Sequence, residues 1–310
     1  MKIPKIALGA WAWGNDGTFG EKLEEKELKA VFDSAVKYGF NLWDTAYAYG
    51  MGESERILGH FIKGLDRNSY LISDKFTPQA ADYSSSSPIE DMIEKQLEIM
   101  GLDRFDIYWI HNTMDSPKWI TELAKYFEGK KDVPVIGVSN HNLVKIKEAD
   151  EILKSCGLRL GAVQNHYSLI NRYSENTGIL DYCKDKKIYF FSYMVLEQGA
   201  LSGKYDTTHP FPSGSARADV YNPILEKLEN LNMAMKKIAD EHNVSIAQVP
   251  VAWAIAKGTI PIVGMTKTQQ VEAAAKACDM KLSDSEIKEL ERIASDIDVD
   301  AVRFWEKEMK

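Results

Sequence analysis

Seven residues stand where short apolar runs stop, and they recur at nearly one interval. Ala10, Asp44, Lys75, His111, Ser139, Gln164 and Tyr193 are separated by 34, 31, 36, 28, 25 and 29 residues. Each interval fits one strand, one crossover helix and two turns. The runs before these residues read as strands over 5–9, 41–44, 70–75, 105–111, 133–138, 160–164 and 188–193, with an eighth over 260–263. Helical periodicity fills the gaps. Residues 24–38 place Leu28, Val31, Phe32 and Ala35 on one face. Residues 88–100 begin on Pro88, where a missing N–H does no harm, and stop before Gly101. Similar patterns cover 142–154 and 268–277.

Strand and helix in strict alternation imply parallel pairing, and eight units predict a closed (β/α)8 barrel in a single domain spanning residues 1–310. The rival is an open doubly wound sheet. Two observations favour the barrel. The glycines of Gly14-Asn15-Asp16-Gly17-Thr18-Phe19-Gly20 have the wrong spacing for a G-x-G-x-x-G turn, and no Walker motif occurs. In a barrel, moreover, the seven strand ends meet at one face, where active sites form. The last interval, from Tyr193 to Gly264, is 71 residues. It contains a Gly-, Pro-, Ser- and Thr-rich loop over 198–223, expected to be a functional lid or binding loop. A C-terminal tail over 296–310 completes the chain.

Composition narrows the function. With 310 residues, 27% charged, a net charge of -8 and a pI near 5.4, the chain lacks the basic surface of a nucleic-acid binder. The stretch free of Asp, Glu, Lys and Arg over 242–256 is too short to span a bilayer. Cys156, Cys183 and Cys278 are too scattered for a disulfide framework or a CxxC metal site. A cytoplasmic protein with no metal, no membrane contact and no nucleic-acid partner is expected.

The strand ends carry the chemistry. Taken singly, Asp44 reads as a turn or cap residue, Lys75 as a solvated cation and His111 as a hydrogen-bonded rim residue. Together they place three ionisable groups in one mouth, where a buried cation and anion need each other. Tyr49 follows Asp44 by five residues and reaches the same mouth. An ammonium beside a phenol lowers its pKa, and a phenol so tuned can protonate a carbonyl oxygen. Carbonyl reduction would also need a nicotinamide or flavin, since no side chain donates hydride.

The segment Asp44-Thr45-Ala46-Tyr47-Ala48-Tyr49-Gly50, followed by Glu53, resembles the signature of the aldo-keto reductases, in their bacterial-type branch. The resemblance runs from about Lys5 to Ala294. It continues through Lys75, Ile107-Tyr108-Trp109-Ile110-His111, Gly137-Val138-Ser139-Asn140, Val163-Gln164-Asn165-His166-Tyr167-Ser168 and Gly199-Ala200-Leu201-Ser202-Gly203-Lys204-Tyr205. It implies a (β/α)8 barrel and NAD(P)H-dependent reduction of an aldehyde or ketone, a small-molecule carbonyl. It also implies a tetrad of Asp44, Tyr49, Lys75 and His111, with Tyr49 as general acid, Lys75 lowering its pKa, Asp44 holding Lys75 and His111 orienting the carbonyl. Ser139, Asn140 and Gln164 match positions that hold the nicotinamide carboxamide, and Tyr193 matches the residue stacked on its ring. Met194 and the loop with Leu196, Gln198, Gly199, Leu201, Gly203 and Lys204 would wrap the pyrophosphate. Gly264, Met265, Thr266, Lys267 and Gln270 would line the adenine end.

Departures from the family pattern bear on the cofactor. Met194-Val195 stands where Ser-Pro is common, which shifts phosphate binding toward backbone N–H groups. Gly264 and Met265 replace the Lys and Ser of the best-known branch, Gln270 replaces its Arg, and Ala273-Ala274 its Glu-Asn pair. Thr266 and Lys267 then become the candidates for a 2′-phosphate, so NADP(H) is expected over NAD(H), with Arg217 in the long loop as a rival cation. Lys267 as a plain helix cap, with NAD tolerated, is the alternative. Trp13 is placed in the substrate pocket with Tyr49 and His111; Trp11 and Trp13 both in the core is the other reading. Phe76, Tyr83, Asn112, Met114 and Tyr167 are further pocket candidates, and Arg303-Phe304-Trp305 either cover the mouth or pack on the barrel side. Two other functions fit the same residues: a nucleotide-binding regulatory subunit with little turnover, and a Schiff-base aldolase with Lys75 as nucleophile.

Overall fold

The computed structural model describes residues 2–20, 22–297, 299 and 306. Eight parallel strands close on themselves in sequence order: β1 (Ala7–Gly9), β2 (Leu42–Asp44), β3 (Leu71–Phe76), β4 (Ile107–Ile110), β5 (Val135–Ser139), β6 (Ala162–His166), β7 (Tyr189–Tyr193) and β8 (Ile260–Gly264). Closure is made by β1 against β8, with Gly9 opposite Gly264. The intervening helices are α1 (Glu25–Lys37), α2 (Glu53–Ile62), α3 (Pro88–Met100), α4 (Ser116–Phe127), α5 (Leu143–Ser155), α6 (Tyr173–Asn176), α7 (Ile179–Lys186), α8 (Ala216–Tyr221), α9 (Leu225–Glu241), α10 (Gln248–Ala256), α11 (Thr268–Asp279) and α12 (Asp284–Ser295).

All eight expected strands form, each shifted by no more than two residues at either end. The helix expected over 88–100 has those bounds, and Gly101 closes it in the left-handed region, at φ 66°. Asn142 is a cap rather than a helical residue, accepting the Lys145 N–H. The 71-residue interval holds more order than a loop: α8 breaks its first part, and α9 and α10 follow. The charge-free stretch ends in α10, whose side chains are largely buried. No helix among the described residues is long and apolar enough to cross a membrane.

Strand alternation splits the side chains into two layers. Ala7, Leu42, Ile107, Trp109, Ala162 and Phe191 fill the barrel interior. The second, larger core lies between strands and helices and includes Leu8, Trp43, Ile72, Phe76, Tyr108, Val138 and Val163. On β3 the interior residues are Leu71, Ser73 and Lys75, and the helix-facing ones are Ile72, Asp74 and Phe76. The apolar floor thus ends at Ser73, Lys75 and Trp109, and polar chemistry begins directly above it.

Candidate active site

The register of the strands brings the expected residues to one level. Asp44 lies opposite Ser73, Lys75 opposite Trp109, and Ser139 opposite Gln164. A 3-10 turn over Trp11–Gly14 follows β1 and braces the loop that carries Tyr49. Gly50, at φ 68°, makes that bracing possible: a Cβ there would stand 2.0 Å from the Gly14 carbonyl oxygen.

Lys75 is fully buried and spends its three ammonium protons on three acceptors. It donates to Asp44 Oδ1 at 2.6 Å, to the Thr45 carbonyl at 2.6 Å and to the Tyr49 hydroxyl at 3.2 Å. Asp44 is equally saturated. Its Oδ2 accepts from Ser73 Oγ at 2.6 Å and from Gln164 Nε2 at 3.1 Å. Ser73 in turn accepts from the Trp109 indole at 2.7 Å. Burial alone would push the Lys75 pKa down, but Asp44 and then Tyr49 outweigh it, and the ammonium is held above its ordinary range. Burial pushes the Tyr49 phenol up; Lys75 opposes this, and Asp44 reinforces it. The expectation that Lys75 depresses the phenol is met in sign only, because desolvation is the larger effect in the free protein.

His111 packs edge-on to Tyr49, with ring centroids 6.0 Å apart. Its Nδ1 lies 3.0 Å from Thr77 Oγ1. Burial, with the Lys75 charge added, pulls its pKa to about 3, so the imidazole is neutral. Asn140 donates to the His111 carbonyl and to Ser139 Oγ, and its Oδ1 accepts from the Tyr193 hydroxyl. One face of Tyr193 is stacked on His166, at 5.6 Å and 29°. Ser139, Asn140, Gln164 and Tyr193 therefore adjoin the tetrad as a second polar wall.

Trp13 is not a pocket residue. It is fully buried against Trp43 and Phe61, and its indole donates to the Met265 carbonyl at 2.9 Å. Its neighbour Trp11 takes the place instead, stacked on Tyr49 at 5.7 Å and 19°, with its edge held by Asp16. The two point apart because the segment is a tight turn and not a strand. Phe76 and Tyr167 are also core: Phe76 faces Trp119 on the helix side, and Tyr167 stacks on Trp253. Tyr83 and Met114 are exposed and touch each other, and Asn112 bonds Gln79, all beyond the ends of β3 and β4.

Beyond β7 the chain turns through left-handed residues at Met194, Glu197, Gln198 and Gly199. The Glu197 and Gly199 N–H groups are spent inside this turn, on the Met194 and Leu196 carbonyls, each at 2.8 Å. Leu196 is half-buried, Leu201 is buried, and Gly203 and Lys204 are exposed, with Lys204 over the Tyr205 ring. At the end of β8, Gly264 and Lys267 are exposed, Thr266 is half-buried, and the Met265 side chain is buried, so Met265 has only backbone to offer a ligand. Gln270 spends its side-chain oxygen on the Thr266 and Lys267 N–H groups. Arg217 does not join Lys267. It bridges the Gln198 and Phe19 carbonyls, at 3.4 and 3.2 Å, and ties the long loop to the turn after β1.

Sequence reasoning missed an ion cluster beside Tyr193. His166 lies between Glu197 and Glu306, at 2.7 and 3.0 Å, with all three fully buried. Glu197 also accepts from Ser168 and Tyr221, and Glu306 from Tyr193. Burial would push His166 down, but the two carboxylates raise it to about 10. The Arg303-Phe304-Trp305 segment lies outside the described residues. No group of three or more metal-ligating side chains occurs among the described residues.

The model of the aldo/keto reductase family matches residues 5–295. The chain is 30% identical to the chloroplastic pyridoxal reductase of Arabidopsis thaliana, over 96% of this chain and 84% of that one. It is 28% identical to the aldo-keto reductase yakc of Schizosaccharomyces pombe, named for NADP(+), over 97% and 92%. The fold matches a glycerol dehydrogenase of Gluconobacter oxydans with a TM-score of 0.81 at 23% identity, covering 98% and 95% of the two chains. It also matches an aldo-keto reductase of Klebsiella pneumoniae solved with NADPH, with a TM-score of 0.73 at 21% identity over 94% and 91%.

Proposed function

This chain belongs to the aldo/keto reductase family, and from that premise we propose that it is an NAD(P)H-dependent oxidoreductase that reduces an aldehyde or ketone to an alcohol, with Tyr49 as general acid. The observation that carries this reading is the Lys75 ammonium, shared between Asp44, the Thr45 carbonyl and the Tyr49 hydroxyl. As Tyr49 gives up its proton, the adjoining ammonium stabilises the phenolate left behind. Asp44 keeps Lys75 charged and in place. Neutral His111, taking the Thr77 hydroxyl proton at Nδ1, presents Nε2–H to the same carbonyl oxygen. Trp11 forms the wall beside Tyr49. The aldolase alternative needs a neutral amine, whereas Lys75 is held as an ammonium with no free proton to lose.

When bound, a reduced nicotinamide supplies the hydride that no side chain can. The residues present fit that group. Gln164 donates its amide to Asp44, which leaves Oε1 turned to accept from a carboxamide, and Ser139 Oγ–H is a matching donor. Tyr193 presents the face opposite His166. The turn at 197–199 directly follows β7 and is assigned to the pyrophosphate on the resemblance, with Gly199 allowing close approach of the backbone. Lys267, at the start of α11 and without an ion-pair partner among the described residues, is assigned to the 2′-phosphate. This favours NADP(H) over NAD(H) and agrees with the cofactors named for two of the relatives.

Fluorescence titration with NADPH and NADH, followed by a panel of carbonyls monitored by NADPH consumption, tests the reading. Tight NADPH binding with turnover supports it. Tight binding with no turnover on any aldehyde or ketone would point to a nucleotide-binding regulatory subunit instead.

A further inference from the structure

Asp74 breaks the pattern of β3. It precedes Lys75 on the face turned toward the helices, where Ile72 and Phe76 are apolar, and it is fully buried. Glu55 of α2, also fully buried, meets it there in a direct carboxyl–carboxyl contact. The donors around the pair all serve one oxygen. Asp74 Oδ1 accepts from the Lys75 N–H at 2.8 Å and from Gln96 Nε2 at 3.0 Å. The Gln96 amide is fixed in this sense because its own Oε1 accepts from Tyr108 at 2.6 Å. Asp74 Oδ2 and both Glu55 oxygens have no donor among the described residues.

Two buried carboxyls in contact, with three of their four oxygens lacking a donor, would repel if both were ionised. No cation lies between them. The Lys75 ammonium is spent on Asp44, Thr45 and Tyr49, on the other face of the strand. Lys95 of α3 donates to Tyr47 at 2.6 Å, and Tyr108 of β4 brings a neutral phenol. We propose that Glu55 and Asp74 share one proton and act as a positioning pair for Lys75. The proton fills the missing donor position. The pair then carries one negative charge behind Lys75 and Tyr49 instead of two. Together with Gln96, which also donates to the Lys75 carbonyl at 3.1 Å, it clamps the Lys75 backbone on both sides. Burial pushes both upward, in line with a held proton; Glu55 adds to the rise at Asp74, whereas the hydrogen bond from Asp74 opposes it at Glu55.

The proposal rests on the reading of Lys75 and Tyr49 given above, and its test separates the two. Asn in place of Asp74 supplies an amide donor where the shared proton was and keeps one negative charge on Glu55. On folding near neutral pH, the wild type therefore takes up one proton more than Asp74→Asn. The ratio of their unfolding constants changes up to tenfold per pH unit, with the variant gaining as pH rises. Glu55→Gln should behave alike and serves where Asp74→Asn folds poorly. The wild type should also show an infrared band of a buried protonated carboxyl that either variant loses. Equal proton uptake, or no such band, overturns the sharing, whether or not Tyr49 is the acid. The positioning role is read from the alkaline limb of kcat against pH. It should stay in place in Asp74→Asn and move down by a measurable fraction of a pH unit in Asp74→Asn/Glu55→Gln, where the last negative charge is gone. A limb unmoved in the double variant would reduce the pair to a structural contact.

Discussion

Gln164 Nε2 donates to Asp44 Oδ2 at 3.1 Å, across 120 residues of chain. One side chain thereby touches both halves of the site. Its amide nitrogen holds the carboxylate that holds Lys75, and its oxygen is the group proposed above to accept from the nicotinamide carboxamide. Gln164→Leu should weaken NADPH by roughly 2- to 10-fold, the scale of about 0.5–1.5 kcal/mol for a neutral hydrogen bond, and should lower turnover at saturating cofactor as well. Calorimetric titration with NADPH and saturated turnover rates measure the two parts. A loss confined to binding would show that the contact with Asp44 has no bearing on the chemistry.

Tyr49→Phe removes one hydroxyl and leaves the ring between Trp11 and His111. Turnover should fall by at least ~10²-fold, with NADPH affinity within a few-fold of the wild type. The pH profile follows from the same geometry. His111 is neutral above about pH 3, so it contributes no acidic limb between about pH 5 and 8, the range in which an ordinary histidine titrates. Tyr49 stays protonated past the usual phenol range in the free protein, so activity should fall only on the alkaline side. An inflection near pH 6.5 that disappears in His111→Asn would contradict the neutral imidazole.

The two tryptophans after β1 should separate cleanly. Trp13→Ala empties a fully buried site between Trp43 and Phe61 and should cost about 3–5 kcal/mol of stability. Trp11→Ala should leave the melting temperature nearly unchanged and alter KM across a carbonyl panel. Thermal denaturation beside steady-state kinetics of both variants decides; a Trp11→Ala variant with unchanged KM for every carbonyl would remove Trp11 from the pocket.

The barrel and the tetrad were legible because both depend on local signals. A polar residue at the end of an apolar run marks a strand end, and seven ends at nearly one interval, with an eighth run after a longer gap, have one common closure. The pocket expectation for Trp13 fails because the chain leaves β1 in a 3-10 turn over Trp11–Gly14, which sends Trp13 into the core and Trp11 toward Tyr49. The charges at Glu197, His166 and Glu306 were not legible, since their pairing joins segments up to 140 residues apart and no local pattern marks it. Asp74 adjoins Lys75 in sequence, and strand alternation turns it to the opposite face of β3; its meeting with Glu55 joins β3 to α2 and has no local signal.

The proposed preference for NADP(H) rests on a local charge in an acidic chain. Lys267 is the only basic side chain over residues 260–275. Lys267→Ala should weaken NADPH by roughly 10- to 100-fold, as expected for a charged hydrogen bond, and NADH little. Arg217 is tied to the Gln198 and Phe19 carbonyls, so Arg217→Ala should weaken both cofactors alike by loosening the loop. Equal weakening of NADPH and NADH by Lys267→Ala would transfer the 2′-phosphate to another residue.

The buried cluster at His166 sets an alkaline limit on stability. Its pKa is raised in the fold to about 10, from 6.5, because Glu197 and Glu306 favour the charged ring more than burial opposes it. For a histidine raised in this way, the fold binds a proton that the unfolded chain has released. The contribution is therefore complete below about pH 6.5 and is lost as pH rises toward 10, with the unfolding constant growing up to tenfold per pH unit. Glu306→Gln removes one of the two carboxylates and keeps a side chain able to accept from Tyr193. It should lower the His166 pKa, reduce stability at neutral pH, and bring the alkaline decline to its end at a lower pH than in the wild type. Denaturant midpoints for both proteins, taken from pH 6.5 to 10, follow this directly. Parallel curves across that range would mean that Glu306 does not hold the charge on His166, and that Glu197 alone sets it.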